Sequence, residues 1–98
     1  MKSIGEILRQ LREEQKQFLR EVAAGIGIDQ ALLSKIERSE RLPSKAQVLE
    51  FAKYFKVEKD ELIVAWLSDK LVNELRDEDL AKKALKIAEQ KIEMKNIK

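Results

Sequence analysis

The sequence predicts an all-α fold in which five helices form a compact unit and a sixth extends from it as a C-terminal arm. Apolar residues recur at intervals of three and four in several segments, which is the spacing of one helix face. No segment alternates apolar and polar residues as a half-buried strand does. With 3 glycines and 1 proline in 98 residues, long helices meet few breaks. We expect the compact unit to occupy residues 1–67 and the arm residues 68–98.

The composition is that of a folded protein without the usual catalytic side chains. Apolar residues make up 44% of the chain and charged residues 39%, which suits one small helical domain. The longest apolar run, residues 62–67, is far shorter than the roughly 20 residues that cross a bilayer. The N-terminus lacks an apolar signal core, so we expect a cytoplasmic protein without membrane contact. Because cysteine and histidine are absent, disulfides, zinc sites and most nucleophile–base pairs are excluded. We expect no metal, no cofactor and no enzyme activity.

The first two helices are expected at about residues 4–15 and 19–25. In the first, one stripe is formed by Ile4, Ile7, Leu8 and Leu11. Ser3 followed by Glu6 fits a capping box at its start. The second helix has an apolar side made of Val22, Ala23 and Ile26. A sharp turn should follow at Gly27, since glycine takes positive φ without steric cost.

The third and fourth helices are separated by the loop "RSERLPS". The third helix begins after Asp29, a favourable N-cap residue, and is expected to end at Arg38 or Ser39. Pro43 stops any preceding helix, and Ser44 can cap the fourth helix, expected at about residues 45–55. The predicted core stripe of the fourth helix is Val48, Leu49, Ala52 and Phe55.

The last two helices connect the compact unit to the arm. The fifth should start near Lys59, place Trp66 in the core and continue as far as Leu75. The sixth is expected at about residues 78–95, capped by Asp77 or Asp79. Its apolar stripe is expected to contain Leu80, Ala84, Ile87 and Ala88, with Leu85 and Ile92 alongside.

The third helix divides into two faces when residues are placed 100° apart around its axis. One face is apolar except for Glu37 and otherwise consists of Leu32, Leu33 and Ile36. The opposite face carries an amide, a methyl, a hydroxyl and two cations, contributed by Gln30, Ala31, Ser34, Lys35 and Arg38. Such groups can read base edges in the major groove of DNA. Taken by itself, the same face is more often a solvated surface.

The order of a short helix, a turn at glycine, a capped helix and a basic loop is typical of a helix-turn-helix. At this point the sequence resembles the Cro/repressor-type (Xre) helix-turn-helix regulators of phages and bacteria. The resemblance covers about residues 4–67. Its matching segments are "LREE", "VAAGIGIDQALLSKIERSERLPS" and "VLEFAKYFKVEKDEL". The short helical arm is most similar to that of the controllers of restriction–modification systems within this family.

The resemblance implies five helices, with the third lying in the major groove of double-stranded DNA, and binding as a symmetric homodimer. The positions that match base-reading residues of the family are Gln30, Ala31, Ser34 and Lys35. The positions that match contacts beside the DNA backbone are Leu32, Arg38, Arg41 and Lys45. Arg12 and Glu37 match a pair that ties the first helix to the third. Such a partner would explain a carboxylate on the buried face, with either an orienting or a purely architectural role.

Four positions stand out against the pattern of the family. Relatives often begin the second helix with Thr-Gln, and the glutamine contacts a phosphate, whereas this chain has Phe18 and Leu19. We expect Phe18 to pack in the core, with an exposed contact to a partner as the alternative. The usual glycine after the third helix is Ser39, so we expect that turn to close differently. Glu40 lies beside the binding surface and should reduce non-specific affinity for DNA.

The arm offers apolar stripes without a second domain to cover them. We expect it to form the dimer interface through Leu71, Leu75, Leu80, Ala84 and Ile87. The alternative is that it packs back on the first and fifth helices of its own chain. So short a chain leaves no room for a separate ligand-binding domain, so no small-molecule ligand is expected.

Two functional classes follow from these observations. The favoured one is a sequence-specific DNA-binding transcriptional regulator, a repressor or controller that acts as a homodimer. The alternative is a protein-interaction module of helix-turn-helix fold, such as an antitoxin-like partner binder, which has lost DNA binding. A net charge of +2 keeps this second class open, because dedicated nucleic-acid binders often have a strongly basic field.

Overall fold

The computed structural model describes residues 1–96 and consists of six α-helices. They are α1 (Ile4–Glu14), α2 (Leu19–Ile26), α3 (Gln30–Glu37), α4 (Lys45–Phe55), α5 (Lys59–Leu75) and α6 (Ala81–Asn96). No strand occurs within residues 1–96, so the predicted all-α class is confirmed. None of the helices in this part of the chain is long and apolar enough to cross a membrane.

The core is a single cluster to which α1 to α5 all contribute. Its members are Ile4, Leu8, Val22, Ala23, Leu33, Ile36, Val48, Phe51, Ala52, Phe55, Leu62 and Trp66. Trp66 satisfies its indole N–H by donating to the carbonyl oxygen of Pro43 at 2.8 Å, which ties α5 to the loop after α3. The predicted stripe of α4 is wrong at one position, because Phe51 is fully buried whereas Leu49 is only half-buried.

Helix starts follow the caps that the sequence contains. The Ser3–Glu6 capping box is present, since Ser3 Oγ accepts from Glu6 N and Glu6 Oε1 accepts from Ser3 N. Ser44 forms the same arrangement with Gln47 at the start of α4. These side chains satisfy backbone N–H groups that the first turn of a helix leaves unpaired, which is why the predicted starts of α1 and α4 agree with the structure.

Phe18 is exposed, so the expectation that it packs in the core is wrong. Its backbone is extended directly before α2, where Phe18 N donates to Glu21 Oε1 at 2.7 Å. The side chain is 60% exposed and carries the guanidinium of Arg20 4.5 Å from its ring centre. The residue before a helix is not part of the helix face, and its ring therefore does not follow the apolar side of α2 into the core.

The start predicted for the sixth helix is also wrong. α6 begins at Ala81, three residues after Glu78, and its first turn contains no acidic residue. Asp77 and Asp79 lie in the preceding turns, where Glu78 N donates to Leu75 O and Ala81 N to Glu78 O. Two successive turns therefore follow α5. The acidic residues lie in this connection and do not cap α6.

The arm extends away from the core. α5 runs without a break past the expected boundary after residue 67, with its first half in the core and its second half exposed. None of the residues of α6 is buried. The radius of gyration is 15.5 Å, whereas a compact chain of this length has about 13 Å. The apolar side chains of α6 therefore gain no cover from the core of their own chain.

Candidate nucleic-acid interface

α3 separates its side chains into a buried and an exposed face. Leu33 and Ile36 are almost completely buried, at 0% and 1% exposure. On the opposite face, Gln30, Ala31 and Lys35 are exposed and Ser34 is half-buried. Because α3 is helical from Gln30 to Glu37, these four side chains lie side by side along one surface. The structure thus brings the predicted base-reading residues together.

The turn between α2 and α3 has the geometry that its residues favour. Gly27 adopts φ 84°, ψ 31°, a left-handed conformation that costs glycine little. Asp29 then caps α3, its carboxylate accepting from Leu32 N at 2.7 Å. The cap and the buried Leu33 together fix the direction in which α3 leaves the turn.

A bidentate ion pair joins α1 to the buried end of α3. Arg12 Nε donates to Glu37 Oε2 at 2.7 Å and Arg12 Nη2 to Glu37 Oε1 at 3.0 Å. A third donor, Nη1, reaches the carbonyl oxygen of Gln17 at 3.0 Å. The hydrogen bonds to Glu37 raise the pKa of the Arg12 guanidinium, although burial acts in the opposite direction. Since all these donors point inward and the Arg12 side chain is only 14% exposed, little of it faces a phosphate.

The same end of α3 lies against the start of α1. A Cβ on Gly5 would overlap the carbonyl oxygen of Ile36, so the two backbones meet at a point where only glycine fits. Ser3 Oγ is hydrogen-bonded to Ser39 Oγ at 2.9 Å. At the same end of α1, Asp69 of α5 accepts from Ile4 N at 2.7 Å. Sequence reasoning missed these contacts, because residues far apart in the chain form them and no local pattern marks them.

The turn after α3 closes in the left-handed conformation, contrary to the expectation drawn from Ser39. Ser39 adopts φ 61°, which a glycine would reach with less strain. Ser39 N donates to Ile36 O at 3.0 Å, and Glu40 N donates to Lys35 O at 2.9 Å. This is the hydrogen-bond pattern of a Schellman motif with serine in place of glycine.

The predicted backbone-contacting residues have different surroundings. Arg41 and Lys45 are exposed in the loop and at the start of α4, and Leu32 is half-buried on α3. Arg38, by contrast, is already engaged, since its guanidinium donates to Glu40 and to Ser34. Within residues 1–96, no group of three or more His, Cys, Asp or Glu side chains is arranged to hold a metal ion.

The predicted dimerisation residues are only partly brought together. Leu71 and Leu75 line a groove of about 540 Å³, together with Ala81 and Leu85 of α6. Leu80 precedes α6 and lies with Leu75 and Ala84 beside a separate depression. Ile87 is on the other side of α6, since residues 85 and 87 are about 200° apart around a helix.

The match to a protein-family model agrees with this geometry. No significant match was found among curated proteins or among solved structures. A family model described as a helix-turn-helix domain matches residues 3–65, which is more than half of the chain and contains α1 to α4 and the first part of α5. The chain therefore belongs to the helix-turn-helix domain family.

Proposed function

We propose that this protein is a sequence-specific double-stranded DNA-binding transcriptional regulator of the Cro/repressor type, acting as a homodimer. The observation that carries the proposal is the arrangement of α3. Its buried face packs against α1 and α2, while its opposite face presents Gln30, Ala31, Ser34 and Lys35. In this proposal α3 enters the major groove, where an α-helix fits and base edges carry a distinct pattern of donors and acceptors.

The four side chains have complementary abilities to read bases. Gln30 can pair bidentately with adenine, and Lys35 can donate to the acceptors of guanine. Ala31 permits close approach and can contact a thymine methyl group. Arg41 and Lys45 are exposed cations that follow α3 in the chain, and this proposal assigns them to the phosphates. Specificity is thus assigned to α3, and general affinity to the loop that follows it and to the start of α4.

Selection from a random pool of duplexes tests this proposal directly. We expect one enriched half-site, repeated at a spacing near one turn of DNA, about 34–36 Å, because two α3 helices of a dimer would read it. Titration of the selected and a scrambled duplex at two salt concentrations should then show steep salt dependence for both and a preference for the selected one. A pool without enrichment, and equal weak binding to both duplexes, would instead favour the protein-interaction module.

The proposed dimer interface is the apolar surface of the arm. α6 places Ala81, Leu85, Ala88 and Ile92 in one stripe, with the alternating spacing of four and three residues that coiled-coil helices use. Leu85 is 39% exposed and Ile92 61% exposed in a single chain. The stripe borders the groove formed with Leu71 and Leu75 of α5, so a second copy would cover both helices at once.

Charge placement favours a second copy of the same chain as the partner. Residues 69–79 contain five acidic and two basic residues, whereas α6 contains five basic and two acidic ones. In a two-fold dimer, each basic α6 can face the acidic segment of the other copy, so the surface is complementary to itself.

Sedimentation analysis of two matched variants tests the interface. Leu85→Asp introduces a carboxylate into the apolar stripe and should abolish the dimer while leaving the protomer folded. Gln90→Asp introduces a carboxylate on the opposite side of α6 and should leave the dimer intact. If both variants remain dimeric, α6 is not the interface.

A further inference from the structure

The guanidinium of Arg38 bridges the exposed face of α3 and the loop that follows it. Arg38 Nε donates to Glu40 Oε2 at 2.7 Å, and Nη2 donates to Glu40 Oε1 at 3.3 Å. Arg38 Nη1 donates to Ser34 Oγ, one helical turn earlier. One side chain thus joins a carboxylate of the loop to a hydroxyl on the proposed base-reading surface.

The closure of α3 produces this arrangement. Ser39 in the left-handed conformation reverses the chain, and Glu40 N is bonded back to Lys35 O. This reversal of the chain lets the side chains of Arg38 and Glu40 meet, although the two residues are neighbours but one in the sequence. The hydrogen bond from Arg38 also lowers the pKa of Glu40, so the carboxylate stays ionised at neutral pH and continues to hold the guanidinium.

The bridge leaves Arg38 poorly placed to clamp a phosphate. A guanidinium binds phosphate or carboxylate most strongly through two parallel N–H groups. In Arg38 the Nε and Nη2 groups already hold the two oxygens of Glu40. A phosphate would have to displace this carboxylate or approach against its negative charge.

The bridge also orients the hydroxyl of Ser34. Arginine has donors and no acceptor, so Ser34 Oγ must accept in this contact. The hydroxyl hydrogen then remains for an acceptor, and no residue in the described part of the chain takes it. Ser34 therefore keeps its O–H donor for a base, while one of its two lone pairs is occupied and the adjacent positive guanidinium repels a second donor.

We propose that Arg38 is a positioning residue for base reading, which fixes Ser34 as a hydrogen-bond donor toward a base acceptor and makes no phosphate contact of its own. The acceptors available in the major groove are N7 of a purine, O6 of guanine and O4 of thymine, so the amino groups of cytosine and adenine would be disfavoured at that position. This inference rests on the proposed function, since it assigns a role within the same surface.

The test combines salt dependence with base preference. The variants Ser34→Ala, Arg38→Gln and Glu40→Gln are compared with Arg41→Gln, which removes the same charge as Arg38→Gln from an exposed position nearby. Binding is measured on the selected duplex over a range of salt concentrations, and on duplexes with each half-site base replaced in turn. Arg38, Glu40 and Arg41 are exposed and Ser34 is half-buried, and a melting temperature for each variant shows that it is folded.

We expect Ser34→Ala and Arg38→Gln to relax preference at the same base pair, by about three- to tenfold. Arg38→Gln should leave the slope of log affinity against log salt unchanged, whereas Arg41→Gln should reduce its magnitude by about 1. Glu40→Gln should steepen the slope, because it releases Arg38 toward a phosphate. The inference is overturned if Arg38→Gln reduces the slope as Arg41→Gln does, or if Ser34→Ala changes no base preference. If the wild-type protein selects no duplex, the proposed function fails instead.

Discussion

The helix-turn-helix unit and the arm place their apolar side chains in opposite ways. Every buried residue of the described chain lies between Ile4 and Trp66, and twelve of them form one cluster drawn from α1 to α5. Beyond Trp66, side chains of similar size remain in solvent, as shown by Val72 at 60% and Ile92 at 61% exposure. The first region obtains its stability from its own core, whereas the second has apolar surface that its own chain leaves exposed. Stability and assembly should therefore respond to different residues.

Truncation of matched leucines should separate the two regions most strongly. Leu33→Ala removes a side chain with 0% exposure and should lower the free energy of unfolding by about 2–5 kcal/mol. Leu85→Ala, in the arm, should lower it by less than about 0.5 kcal/mol at protein concentrations at which the chain is monomeric. Urea denaturation of dilute protein measures both, and similar losses would show that the arm belongs to the core after all.

The ion pair between α1 and α3 should give the next largest effect. Arg12→Ala leaves Glu37, which is 7% exposed, without its partner and should cost about 3 kcal/mol of unfolding free energy. The control Arg9→Ala breaks an exposed pair with Glu13 and should cost less than about 0.5 kcal/mol.

A double variant distinguishes an orienting role of this pair from an architectural one. Arg12→Met combined with Glu37→Leu should recover most of the lost stability, because apolar residues of similar size can replace a buried pair. If the pair orients α3, the double variant will be folded but will discriminate less between the selected and the scrambled duplex. Unchanged discrimination would assign the pair to stability alone.

The smallest effect is expected at the end of α4, where Lys56 adopts φ 58°. Lys56→Gly should stabilise the unit by about 0.5–1 kcal/mol, because glycine takes the left-handed conformation without strain. Lys53→Gly, inside the same helix, should destabilise it by about 1 kcal/mol. Thermal unfolding of the two variants provides the comparison, and a loss in both would mean that the strain at Lys56 is negligible.

The difference between local and long-range contacts explains which features could be predicted from the sequence. The starts of α1, α3 and α4 were predictable because Ser3, Asp29 and Ser44 cap their own helices within three residues. The two faces of α3 followed from helical periodicity alone. Features of this kind depend on near neighbours, so the local pattern contains the information.

Other features depend on contacts that no local pattern reveals. Ser39 takes a conformation that usually marks glycine, and its hydroxyl is hydrogen-bonded to Ser3, 36 positions earlier in the sequence. Asp69 accepts from Ile4 N across 65 positions of sequence. The sequence wrongly predicts that Phe18 is buried, because an aromatic residue next to an apolar helix usually packs in the core. Here the residue precedes the helix and faces solvent.

In the proposed function, the exposed face of α3 reads bases while the loop after it contacts the DNA backbone. The most direct measurement is the affinity of Lys35→Ala and Arg41→Ala for the selected duplex and for duplexes with single base replacements, over a range of salt concentrations. Lys35→Ala should lose about 1–3 kcal/mol on the selected duplex and relax preference at one base pair. Arg41→Ala should weaken binding to every duplex alike and reduce the salt slope by about 1. If both variants lose the same affinity on all duplexes, α3 does not read sequence and the claim is wrong.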